Sequence, residues 1–234
     1  MENRWSTIFL ISLLLSFVPE LGAQDVDHWE TLIIPGRQCS YLVPYGPVEP
    51  GWTTTAFDDS GWNTATGGVG YGDGDDNTVI DPAISVYCRY NFSLSNPDII
   101  TYLLLDMDFD DAFVAYLNGV ELARYNLGDH GSEVSWDQAS VAQQEALVYQ
   151  GQMPMRFNLN ASARDLLVSG DNTFAVEVHN VSPNSSDLSS NPYLHAAVSE
   201  SGSFFHATPS WFFPPFSQDS SLLPLIVIDT EGQI

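Results

Sequence analysis

The stretch from Trp52 to Arg124 constrains the fold more than any other part of the chain. It opens with "WTTTAFDDSGWNTATGGVGYGDGDDNT", continues through a β-rich run and closes with "LLLDMDFDDAFVAYLNGVELAR". Gly67, Gly68, Gly70, Gly72 and Gly74 make the first part a loop, because only glycine takes the positive φ angles of successive tight turns without steric cost. In the last part Asn118-Gly119 separates two alternating runs, "AFVAYL" and "VELARY". That dipeptide is the strongest short-range signal for a type I′ hairpin.

The alternation extends well beyond this hairpin. In "SVYCRYNFSL" Val86, Cys88, Tyr90, Phe92 and Leu94 share one face, with Ser85, Arg89, Asn91 and Ser93 opposite, as in a half-buried strand. "NTFAVEVHN" puts Phe174, Val176 and Val178 on one face and Thr173, Ala175, Glu177 and His179 on the other. "TYLLLDM" is continuously apolar and suits a central strand, and "MRFNL" and "YLHAAV" supply two more. One short helix is expected over Ala163–Val168, with Ser162 as cap, Asp165 at the capping-box spacing and Gly170 past its end. The fold class is therefore all-β: an antiparallel jelly-roll β-sandwich with one short helix.

The chain ends differ from this middle. Arg4, the apolar run Ile8 to Val18 and the small-residue site Leu21-Gly22-Ala23 predict a secretory signal peptide over 1–23, cut after Ala23. That run is short for a membrane span, so no membrane insertion is expected after cleavage. The exported domain extends over 24–199, its strands starting near residue 28. A Ser/Pro/aromatic linker follows over 200–221, in which Trp211, Phe212, Phe213 and Phe216 form either a platform for a polymer or a segment tucked into a groove. "LLPLIVIDTEGQI", over 222–234, starts a new apolar strand that must pair with something.

Charge narrows the partners. Thirty Asp+Glu stand against six Lys+Arg, a formal net charge of −24, and no lysine is present. Nucleic acid and anionic membranes need clustered cations and are excluded as partners. The acids suit either calcium binding or a solvated surface. Asp73, Asp75, Asp76 and Asn77 offer oxygen donors in the glycine loop, a donor type that suits calcium. The alternative is that they form Asx-turns. Neither this loop nor Asp106, Asp108 and Asp110 is an EF-hand, because position twelve is Ile84 or Leu117 instead of Glu.

Three other groups are candidates for binding. Asp58 and Asp59 lie between Phe57 and Trp62, so a carboxylate could bind sugar hydroxyls while a ring stacks on the sugar. The competing reading is a tight corner, with Asp58 accepting backbone N–H bonds and Trp62 in the core. His179 and Asn180 follow a strand and Asp187 comes shortly after; these three either bind a ligand or metal at a loop end or are satisfied structural residues. Cys39 and Cys88, an even pair in an exported chain, point to a disulfide, with two buried thiols as the alternative. Hydrolase signatures such as Gly-x-Ser-x-Gly and His-Glu-x-x-His are absent, and the reading is of a non-enzyme.

"AFDDSGW", "GGVGYGDGDDNT", "SVYCRY", "DDAFVAYLNGVELAR" and "VEVHN…SSDLS" together resemble the galactose-binding-like β-sandwich modules of secreted bacterial proteins. Such modules precede CotH-type kinase-like, lamin-tail or metallophosphatase domains, and "LLPLIVIDTEGQI" looks like the opening strand of a CotH-type domain. The resemblance spans about 28–199. It implies a secreted or cell-surface accessory module with carbohydrate as ligand, calcium as a structural ion and a downstream domain as neighbour. A ligand-free spacer and a fragment of a kinase-like protein are the competing readings. The positions of Cys39 and Cys88 usually carry aromatic or aliphatic residues in these modules, so a bridge there would be particular to this chain.

Overall fold

The computed structural model describes residues 26–74 and 76–215. The signal peptide and the terminal strand expected over 222–234 lie outside these residues, as do Asp75 and Phe216. In chain order the strands are β1 (His28–Ile33), β2 (Gln38–Leu42), β3 (Asn63–Thr66), β4 (Val69–Tyr71), β5 (Thr78–Val79), β6 (Ser85–Leu94) and β7 (Ile100–Phe109). They continue as β8 (Ala112–Leu117), β9 (Val120–Tyr125), β10 (Met155–Asn158), β11 (Gly170–His179), β12 (Leu188–Val198) and β13 (His206–Ala207).

Two sheets form a sandwich. One runs β10-β7-β12-β1-β13, with β4 on β12 and β5 on β4; the other runs β3-β2-β6-β11-β8-β9. Every pairing is antiparallel except the short β4–β5 contact. The expected hairpin joins β8 to β9, and Asn118 and Gly119 both take positive φ (49° and 89°), as a type I′ turn requires. No helix among the described residues is long and apolar enough to cross a membrane.

The core lies between the sheets. Leu103, Leu105, Met107 and Phe109 of β7 meet Val86, Cys88, Tyr90 and Phe92 of β6 and Phe174, Val176 and Val178 of β11. Phe109 and Phe113 pack edge to face with centroids 4.7 Å apart, an arrangement that adds about 1 kcal/mol beyond the area it buries.

The expected helix is a 3₁₀ segment, Ala161–Leu166. Its cap position is Asn160, and the Ser162 hydroxyl bonds to the Asn160 side chain instead of capping the segment.

The outer face of the six-stranded sheet departs from the half-buried pattern, because Ser85, Tyr87, Arg89, Thr173, Glu177 and His179 are buried as well. Arg89, 1% exposed, draws residues 52–59 across it. Its guanidinium donates to Asp59 (2.8 Å) and to the Trp52 and Thr54 carbonyls, and stacks on Phe57.

The expected disulfide is corrected by the structure: Cys39 and Cys88 are free, buried thiols. Ser40 pairs with Arg89 and Tyr41 with Cys88, so Cys39 is the diagonal neighbour of Cys88. Diagonal partners sit about 7–8 Å apart, beyond the usual Cα span of a disulfide. The two thiols hydrogen-bond to each other instead, and that bond together with burial pushes the Cys88 thiol upward.

Candidate functional site

Two places combine chemistry with access. The first is a groove of about 670 Å3 over the six-stranded sheet, between residues 47–52 and 130–136. Its floor is built by neighbouring strands: Tyr87 of β6 stands opposite Glu177 of β11, and Tyr116 of β8 opposite Ala175. The Tyr116 hydroxyl donates to Glu177 Oε1 (2.8 Å), and His179 Nε2 lies 3.1 Å from Glu177 Oε2. Burial, and then the Glu177 charge, pushes the Tyr87 and Tyr116 hydroxyls upward, so both remain proton donors. Trp52 forms a wall. It meets Tyr87 and Tyr116 edge to face at 4.9 and 5.5 Å and stacks on Trp62 at 6.2 Å. Arg124, held in two hydrogen bonds by Glu121, lines the opposite side.

The second place is the acidic end, where the β7–β8 turn meets the loop entering β12. Asp108 Oδ1 accepts from the Leu147 N–H (2.7 Å), and both its oxygens lie within reach of the Val148 N–H. Asp111 accepts from the Gln144 and Val181 N–H groups at 2.9 and 2.7 Å. Between them, one carboxylate oxygen each from Asp110, Glu145 and Asp187 comes within 4.8 Å of the others. Such an oxygen triad can hold a metal ion. Burial first, then the charges of Asp187, Asp111 and Glu145, push Asp110 up to about 8.

The residues named from sequence divide between these places. Trp62 supports the groove wall through Trp52. Asp58 accepts the Ser60 N–H in a tight corner, and Asp59 is the partner of Arg89. His179 is buried beneath the groove against Glu177 and the Gln138 carbonyl. Asn180 donates to Tyr71 Oη and the Ala83 carbonyl, behind the acidic end. Asp187 joins the acidic triad.

In the glycine loop, Asp73 accepts from the Ser189 hydroxyl (3.1 Å) and Asn77 donates to the Gly67 carbonyl (2.6 Å). Asp76 packs so close to Gly70 that any side chain there would collide with it. The site residues not singled out from sequence are Tyr87, Tyr116, Trp136 and Glu177 of the groove and Glu145 of the triad. Asp110 enters the sequence reading beside Asp106 and Asp108, and a charged residue ending the apolar run "LLLDMDFD" is at odds with a solvated strand.

No family model matches the chain, and no curated protein matches it. Solved structures do. A calcium-binding mutant of Bacteroides uniformis beta-glucuronidase 2 is 16% identical at a TM-score of 0.45, over 72% of this chain and 18% of that one. A beta-glycosidase from Bacteroides vulgatus is 14% identical at 0.42, over 70% and 20%. Ruminococcus gnavus beta-glucuronidase is 10% identical at 0.41, over 73% and 29%. This chain thus spans less than a third of the length of each of these proteins.

Proposed function

We propose that this chain is an exported, non-catalytic β-sandwich module that binds carbohydrate in the groove over its six-stranded sheet. One observation carries the reading: indole and phenol rings meet at right angles around a buried carboxylate, at the foot of an open groove. Aromatic faces stack on the apolar faces of sugar rings, while carboxylate and phenol oxygens bind hydroxyls. Glu177 is already engaged by Tyr116 and His179, which fits positioning of a ligand better than proton transfer. The acidic surface leaves a neutral polysaccharide as the favoured class over an anionic one. Export rests on the sequence of residues 1–23, and the module would serve a neighbouring domain at the cell surface or outside the cell. Calcium belongs to this reading as a structural ion that takes no part in sugar chemistry.

The test is a glycan array followed by affinity electrophoresis in neutral polysaccharides. Trp52→Ala is expected to weaken binding by about tenfold or more, the loss of one well-packed aromatic anchor. Circular dichroism should show the fold intact. Retention of every glycan by Trp52→Ala would remove the groove as the site, and failure of the wild type to bind any glycan would leave a ligand-free spacer.

A further inference from the structure

We propose that the cavity between β1, β6 and β13 binds a small carboxylic acid with an apolar body, whose carboxylate pairs with Arg37. The inference is independent of the sugar-binding reading and lies outside both the groove and the acidic end. It begins with the arginines. In a chain with thirty acids, Arg89, Arg124, Arg156 and Arg164 each meet a carboxylate, from Asp59, Glu121, Asp106 and Asp98 respectively. Arg37 has no carboxylate partner among the described residues. Half-buried in the β1–β2 turn, its side chain donates to the Asn91 carbonyl (3.2 Å), which occupies one of the five guanidinium donors. Burial holds this guanidinium below its ordinary value, and it stays charged at neutral pH.

Arg37 lines a cavity of about 360 Å3, a size that suits a small organic ligand. The floor is made by core side chains: Leu32, Phe92, Leu94 and Ile99, all buried. Phe204 and Phe205 supply a wall. Their N–H groups donate to the Glu30 carboxylate at 3.0 and 2.8 Å, and His206 and Ala207 pair with Thr31 and Glu30, so the wall is in place before a ligand arrives. Glu30 is engaged by those amides and does not reach Arg37. The Phe204 ring stays 42% exposed beside the cavity, apolar surface that a ligand would cover. A cation next to an apolar hollow selects an anion with an apolar body. The guanidinium fork matches a carboxylate in two parallel hydrogen bonds, and the body is removed from water against the floor. Free phosphate would leave the floor uncovered, and a sugar would set hydroxyls against it. The net charge of −24 opposes an anion only at long range, because salt at about 0.15 M screens exposed charges beyond about 8 Å.

Isothermal titration of the purified whole protein with 3-phenylpropionate, set against its uncharged amide 3-phenylpropionamide, tests the site. The acid is expected to bind at one site and the amide about tenfold or more weaker, for want of the charge-assisted pair. Arg37→Gln should weaken the acid by about the same factor and leave the amide unchanged. Arg37→Lys should fall between, since it keeps the charge without the fork. The turn is closed by the Arg37 backbone N–H on the Ile34 carbonyl, a bond that both variants retain, so both should melt with the wild type. The comparison of acid with amide on the wild type stands whatever the variants' stability. No binding of the acid, equal binding of acid and amide, or acid binding unchanged in Arg37→Gln would each overturn the proposal. So would loss of the acid in Trp52→Ala with retention in Arg37→Gln, which would place it in the groove over the six-stranded sheet.

Discussion

Asp106 and Asp110 stand four residues apart at one end of the molecule, Asp106 on β7 and Asp110 just beyond its last residue. Both are almost fully buried, at 1% and 3% exposure, yet they are compensated in opposite ways. Asp106 has a complete set of partners. Arg156 from β10 grips both its oxygens at 2.9 Å, and His195 of β12 lies 3.3 Å away. Burial works to raise Asp106, but these hydrogen bonds outweigh it and hold the carboxyl below the usual range. Asp108, two residues on, is held by backbone N–H groups alone, and burial leaves it raised. Asp110 faces other acids. Compensation thus declines from the sheet interior toward the loops, and a strand can carry buried acids as long as each has its own kind of partner. In a chain with six cations and thirty acids, Asp106 has an arginine partner and Asp110, among the described residues, has none.

The comparison can be broken most forcefully at Arg156. Replacing it with alanine strands the Asp106 charge and removes the guanidinium that also covers Phe212, and is expected to cost about 3 kcal/mol in urea denaturation. The double change Asp106→Leu with Arg156→Met should recover most of that loss. Asp108→Ala should cost about 2 kcal/mol by orphaning the Leu147 and Val148 N–H groups, and Asp108→Asn less, since an acceptor remains. If Asp108→Ala proves the more damaging change, the ranking of partners along β7 is wrong.

The smallest expected effect is a pH dependence. Burial holds His195 below its ordinary value, so the unfolded chain takes up a proton near pH 6.5 that the folded chain refuses. His195 therefore contributes a loss of stability as the pH drops from about 7 to about 5, against the opposite contribution of Asp110, whose raised carboxyl takes up its proton more readily in the folded chain, and His195→Gln should remove the His195 share of the slope. Asp106, displaced the other way from a raised carboxylate, adds its own loss only as pH drops below its unfolded value of about 3.9. An identical slope in His195→Gln would assign the effect to other groups.

Periodicity reveals which face of β6 and β11 is apolar, and both strands lie where the alternation of Val86 to Leu94 and Phe174 to Val178 puts them. It carries no information on what covers the other face. Arg89 reads as a solvent-facing residue because its partner Asp59 is thirty positions away in a loop. The groove escapes for the same reason, since Tyr87, Tyr116 and Glu177 converge only through the pairing of three strands. At the acidic end, spacing within one loop was the available signal, and it favoured Asp73 to Asn77. The triad draws on residues 110, 145 and 187, whose proximity is set by sheet topology. The cysteines show the limit of counting: an even number fits a bridge, but a diagonal register between β2 and β6 does not.

The contacts around Trp52 have an optical consequence. Its indole lies against another indole and two phenols, all within 6.2 Å between ring centroids. At such separations the ring transitions couple, so the pair should produce a split circular dichroism signal and collect excitation from Tyr87 and Tyr116. Trp29, Trp136 and Trp211 have no ring contact with Trp52 among the described residues. A molecule entering the groove would disturb one chromophore cluster, and the protein would report its own occupancy without a label.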